Sequence, residues 1–135
     1  MHSKLLGAIA SAGVLMAAVL PVPAHHSFSA EFDQNKQVTL EGKVVQMEWV
    51  NPHSWLHIDV TKADGTVERW KVEGGSPSVL LRLGWTRESI PVGTKIKVTG
   101  FPAKDGSLRL NSRDLQFPDG RKMDLGGSAN TEGAK

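Results

Sequence analysis

Histidine is the residue best equipped for chemistry in this 135-residue chain, and its distribution is uneven. Four of the five histidines lie between positions 25 and 57, as the pair His25-His26 and within Asn51-Pro52-His53-Ser54-Trp55-Leu56-His57. Imidazole nitrogens suit Cu(II), Ni(II) and Zn(II). If the chain is cut after Ala24, His25 presents a free α-amine, with a pKa of about 8, beside its own ring and that of His26. A histidine at position one chelates through amine and ring together. One at position two binds through amine, backbone amide and ring in a square plane, and either mode favours copper. His25, His26 and His53 are therefore the candidate metal ligands, with copper or zinc as the ion. The plainer alternative is that His25-His26 is a polar pair on a free chain end.

His53 and His57 are four residues apart, which on a straight strand separates them by about 13 Å, at about 3.3 Å per residue. Two ligands of one ion, with metal–nitrogen bonds of about 2 Å, hardly span that distance. They share an ion only if the chain bends sharply at Asn51-Pro52-His53; otherwise one of them joins the N-terminal histidines. As structural residues, His53 would cap the turn and His57 would pack beside Trp55. Four tryptophans, Trp49, Trp55, Trp70 and Trp85, accompany a complete lack of tyrosine. Trp49, Trp70 and Trp85 are assigned to the core and ends of a small domain. Trp55 shares the outward phase of His57 and Asp59, so Asn51, Trp55 and His57 are the candidate ligand-binding residues. An exposed tryptophan there can stack a sugar, a base or a peptide side chain. No catalytic residue is assigned: there is no cysteine nucleophile, no serine-nucleophile motif and no phosphate-binding loop. The carboxylates, at turns and on alternate strand positions, read as solvated surface.

The start of the chain decides where these residues work. Met1-His2-Ser3-Lys4 is basic, residues 5–20 are apolar and uncharged, and Pro21-Val22-Pro23-Ala24 offers small residues at a cleavage point. These are the three parts of a secretory signal. The apolar run is shorter than the ~20 residues that span a bilayer, and Pro21 and Pro23 interrupt it where an anchor would continue. The reading is a cleavable signal over residues 1–24, a product in the periplasm or outside the cell, and no stable membrane span after cleavage. The remainder forms one small domain. Over the whole chain 16 basic residues face 14 acidic ones, for a net charge of +2, and the signs are interspersed. That is a mixed solvated surface without a basic stripe, and it disfavours nucleic acid as a partner.

The elements that must carry these groups are strands. Residues 25–37 read as an extended polar arm with Phe28 and Phe32. Residues 38–44 alternate with period two, and the phase flips after Val44-Val45, which predicts a bulge or bend near Gly42. Residues 54–61 are the cleanest strand, with Leu56, Ile58 and Val60 inward and Trp55, His57 and Asp59 outward. Asp64-Gly65 signals a hairpin into a third strand over 67–73. Ser76-Pro77 starts a short helix with Val79, Leu80 and Leu83 on one side, stopped by Gly84. A fourth strand covers 94–100 and a fifth 108–117, with Leu108, Leu110 and Leu115 inward. Residues 121–125 add a short sixth, and 126–135 form a tail with nothing to bury, expected to be disordered. Three strands, a helix and two strands is the order of the OB-fold, so the predicted class is all-β: an OB-like five-stranded barrel over residues 38–125, with one short helix between strands three and four. A small β-sandwich is the alternative.

Several blocks also resemble a known family. Ala24-His25-His26-Ser27-Phe28 with Glu31-Phe32-Asp33, then Val38-Thr39-Leu40-Glu41-Gly42-Lys43-Val44, then Trp49-Val50-Asn51-Pro52-His53-Ser54-Trp55 are similar to the exported bacterial family catalogued as domain of unknown function 6152. Trp70, Leu81-Arg82-Leu83-Gly84-Trp85, Val98-Thr99-Gly100 with Ala103-Lys104-Asp105-Gly106, and Pro118-Asp119-Gly120-Arg121 continue the resemblance. It implies an exported, stand-alone OB-like domain and carries no activity with it. Three functions follow from the whole reading. The first is a non-enzymatic binding module that offers its Trp55/His57 face to an envelope protein or small ligand. The second is a periplasmic copper or zinc protein using His25-His26, and the third is an enzyme of unknown reaction.

Overall fold

The computed structural model describes residues 27–132. Its strands are β1 (Val38–Glu48), β2 (Trp55–Thr61), β3 (Val67–Glu73), β4 (Lys95–Pro102), β5 (Arg109–Gln116) and β6 (Lys122–Met123). Its helices are α1 (Phe28–Glu31), α2 (Pro77–Arg82) and α3 (Ser128–Glu132). Strand neighbours run β3-β2-β1-β4-β5-β6, and a parallel pairing of β3 with β5 closes the first five into a barrel. With α2 between β3 and β4, this is the OB-like arrangement that the element order predicts.

β1 makes closure possible because it serves two partners. Its first half pairs with β4 from Val38↔Gly100 to Lys43↔Lys95, and its second half pairs with β2 from Lys43↔Asp59 to Glu48↔Trp55. The register slips between Val44 and Gln46, which is the bulge expected from the phase flip, and such a slip bends a strand. β5 has a second irregularity opposite Thr99-Gly100. It explains how Leu110 and Leu115, an odd number of positions apart, both point inward with no exposure. Gly100 is required at that point: any Cβ there would collide with the Asn111 carbonyl.

Val44, Leu56, Ile58, Val72, Leu80, Trp85, Val98, Leu110, Leu115 and Leu125 fill the interior. Trp85 is buried and its Nε1 donates to the Asp124 carbonyl oxygen at 2.7 Å. Trp49 and Trp70 pack partly buried against the same core. Ser76 caps α2, its side chain accepting from the Val79 N–H, and Gly84 follows at φ +87°. Both features match the sequence signals for that helix.

Four expectations are corrected. Residues 27–37 are not simply an extended arm: α1 forms there, and Phe28 and Phe32 bury against Phe101, Ala103 and Ala129 as a second small core. Leu108 is exposed because it sits in the turn before β5, where its carbonyl accepts from the Lys71 N–H. Leu83 is exposed at the end of α2, leaving Leu80 as that helix's buried contact. Finally, residues 126–132 are placed against the barrel and end in α3. Their small side chains are the physical reason, since a Cβ at Gly127 would overlap the Ser112 carbonyl oxygen. The tail lacks apolar bulk, and that lack lets its backbone approach the sheet. The proposed signal over residues 1–24 lies outside the described residues.

Candidate functional site

The pairing of β2, β3 and β5 brings three outward-facing side chains into one row: Trp55 opposite Glu73, and Glu73 opposite Asn111. A second row behind it holds His57, Lys71 and Arg109. An outward row on a small barrel is normally wet. Here α3 covers the Glu73–Asn111 end, and both residues are buried, Glu73 at 5% exposure and Asn111 at none.

The covered groups satisfy one another. Asn111 Nδ2 donates to Glu73 Oε1 at 3.2 Å and to Ser128 Oγ at 2.7 Å. Ser128 Oγ donates to the same Glu73 oxygen at 3.4 Å, and Asn111 Oδ1 accepts the Ala129 N–H at 3.2 Å. Each polar atom of the Asn111 amide is therefore engaged, as its burial demands. Glu73 stays in an expensive position: burial pushes its pKa above the ordinary carboxylate value, the His53 ring opposes that, and the nearby Glu31 charge adds to it. A buried carboxyl with a raised pKa, beside an imidazole, is a physical marker of a functional site.

His53 lies just ahead of β2, with Nδ1 3.6 Å from Glu73 Oε1. Nδ1 is itself buried, while the side chain as a whole keeps 37% exposure. The nitrogen facing Glu73 is thus shielded and the rest of the ring reaches solvent. At 3.6 Å the pair is too long for a hydrogen bond, and Nδ1 has no hydrogen-bond partner among the described residues. A carboxylate on that side leaves the other ring nitrogen to a ligand.

The remaining sequence candidates are brought near but not merged. Trp55 is half-buried beneath Lys71, whose Nζ is 4.9 Å from the ring centre. His57 is mostly covered, with Nε2 3.1 Å from Glu48 Oε1 but off the line of a hydrogen bond. Lys71 thus stands over one face of Trp55, and His57 is largely enclosed. Asn51 is exposed and joined to Pro52 by a cis peptide bond at the turn into β2. His53 and His57 each face a different carboxylate, Glu73 and Glu48. His25 and His26 lie outside the described residues. Among the described residues, no three of His, Cys, Asp and Glu gather into a metal cluster.

Glu73, Asn111 and Ser128 are the residues that sequence reasoning missed. Glu73 reads as one more outward strand carboxylate, and Asn111 and Ser128 as ordinary surface polar groups. A faint signal exists in the glycine pairs Gly74-Gly75 and Gly126-Gly127, where two backbones pass close: Gly75 N–H donates to the Leu125 carbonyl at 2.8 Å. Helix α1 packs beside α3 and is pinned by Glu31 to Arg109 at 3.1 Å and by the Ser29 carbonyl to Lys104 Nζ at 2.6 Å. The backbone that enters α1 at Ser27 thus belongs to the same end of the barrel as Glu73.

The fold and this site define a small closed β-barrel with a shielded carboxylate–imidazole pair at one end. Within that class, the chain belongs to the family of unknown function DUF6152, which matches residues 12–111. The match spans the His25-His26 pair, the Asn51-Pro52-His53 turn, Glu73 and Asn111. No curated protein matches the chain, and no solved structure does.

Proposed function

We propose that this chain is an exported binding module whose ligand face is the outer side of β2 and β3 at the His53 end, and that its ligand is a copper or zinc ion held by His53 and the His25-His26 terminus. The observation that carries this reading is the position of His53, with Nδ1 against the buried carboxyl of Glu73 and the rest of its ring open. Glu73 stands on the Nδ1 side of the ring, the side on which carboxylates stand behind metal-bound histidines. The anchoring of α1 beside α3 supports the participation of the terminus, because His26 directly precedes Ser27. An amine, one or two imidazoles from the terminus and the His53 ring form a nitrogen set suited to Cu(II) or Zn(II). Trp55 and His57 border the same face and would contact whatever protein or small molecule approaches the ion.

The test is calorimetric titration of Cu(II) and Zn(II) into protein cut after Ala24, into a copy with one extra residue before His25, and into His53→Ala. One-to-one binding that weakens at least about tenfold in both altered proteins, a difference of about 1.4 kcal/mol, is the expected result. Equal binding in all three would remove the metal from the reading. The search would then turn to protein partners of the Trp55 face.

A further inference from the structure

On the side of the barrel away from Glu73, an open groove of about 630 Å³ runs where β1 passes from β4 to β2. Its walls carry Glu41, Lys43, Asp59, Lys95 and Lys97, and Phe117-Pro118 closes one side. This volume lies within the range of small-molecule sites. The charges within it are unevenly matched. Lys97 Nζ pairs with Glu41 at 2.9 Å, and the Arg69 guanidinium grips both oxygens of Asp59. That grip, more than any other contact, holds the Asp59 carboxyl below its usual pKa range; Lys43 adds only a smaller pull.

Lys43 and Lys95 are left over. They are direct cross-strand partners in the β1–β4 ladder, and among the described residues neither has an ion pair or a hydrogen-bonded side chain. Like charges placed opposite one another on adjacent strands destabilise a sheet. Here that cost coincides with a groove whose acidic groups are already occupied.

We propose that this groove is a second binding site, independent of the His53 end, and that it takes a phosphate monoester. The phosphate sits between Lys43 Nζ and Lys95 Nζ, and an apolar body lies along Pro118. A dianion relieves the repulsion between the two ammonium groups, which a neutral ligand cannot do. Two sources share this chemistry: a free phosphate monoester and a membrane lipid with a phosphate monoester headgroup.

The experiment is direct. The protein cut after Ala24 and a Lys43→Gln/Lys95→Gln double variant are titrated with phenyl phosphate at low ionic strength, with phenol as the uncharged control. Both are also sedimented with phosphatidylcholine vesicles containing phosphatidic acid. Circular dichroism checks the fold of the variant, and Lys95→Gln alone serves if the double variant is unfolded. Phenyl phosphate binding that exceeds phenol binding and falls at least about tenfold in the variant, a difference of about 1.4 kcal/mol, supports a free ligand. Vesicle binding lost in the variant, without phenyl phosphate binding, supports the lipid source. Neither form of binding, or binding that the variant retains within tenfold, overturns the proposal. Metal binding at His53 does not enter either readout, so the two sites fail or stand separately.

Discussion

Replacing Asn111 by alanine tests whether the buried polar cluster holds the C-terminal segment on the barrel. Asn111 is fully buried and makes three hydrogen bonds, to Glu73, to Ser128 and from Ala129. Each is worth about 1 kcal/mol net, and stranding a buried partner costs about 1–3 kcal/mol. The Ser128 hydroxyl can still reach Glu73, so Glu73 is only partly stranded. The Ala129 N–H can regain water if α3 lifts. These allowances put the expected loss at about 3 kcal/mol, a large part of the 5–15 kcal/mol that holds a typical domain together. Urea unfolding followed by tryptophan fluorescence measures it, and hydrogen exchange at Ala129 reports whether α3 detaches first. Asn111→Asp sharpens the test. It can still accept from Ala129 but sets a second carboxyl against Glu73, whose pKa is already raised. That variant should be the less stable of the two at neutral pH and should recover as acid protonates the pair. A loss below about 0.5 kcal/mol for Asn111→Ala, within the range of ordinary surface substitutions, would refute the reasoning. So would an Asn111→Asp variant with no acid recovery.

Three further substitutions probe burial at the same cluster and the phase of β2. Because the Glu73 pKa is higher folded than unfolded, its protonated form favours the native state. Its contribution is fully present below the unfolded value near 4.5 and is lost as pH rises through the raised folded value. Glu73→Gln should therefore gain stability over the wild type as pH rises from 4 to 8, measured by paired melting curves; a Gln variant that loses ground over that range would show the carboxylate to be stabilising. Leu56 is fully buried whereas His57 faces outward, so Leu56→Asp should abolish cooperative unfolding while His57→Ala costs about 1 kcal/mol or less. A His57→Ala variant that melts below Leu56→Asp would invert the strand phase.

The barrel was legible because its signals are local. Asp-Gly turns, a Ser cap before Pro77, period-two alternation and a phase flip at Val44-Val45 each report on a few neighbouring residues, and together they specify strands, helix and order. Glu73 was not legible for the opposite reason. Its burial depends on β3 meeting β5 and on Gly126-Gly127 bringing α3 over both, contacts between distant parts of the chain. Apart from the glycine pair that follows it, nothing within a few residues of Glu73 distinguishes it from Glu68 or Glu41, which stay closer to solvent. The same holds for residues 126–132, where a composition typical of disorder becomes a close-packing device once a sheet is present to receive it. His53 was legible as a candidate but its neighbour was not, so the sequence pointed to the imidazole and missed the buried carboxyl that faces it.

The parallel seam between β3 and β5 bears on how the molecule is made. Lys71 pairs with Arg109 and Glu73 with Asn111, so no hairpin can start that contact and the chain must already extend beyond Asn111. Pairings of such sequence separation slow folding. Until the seam forms, β3 and β5 each expose an unpaired edge able to recruit another chain. A chain truncated before Arg109 would keep the β3 and β4 edges open permanently. Truncations that end there should therefore aggregate rather than yield a smaller soluble barrel, and the nascent protein has a vulnerable interval that lasts until β5 has been made.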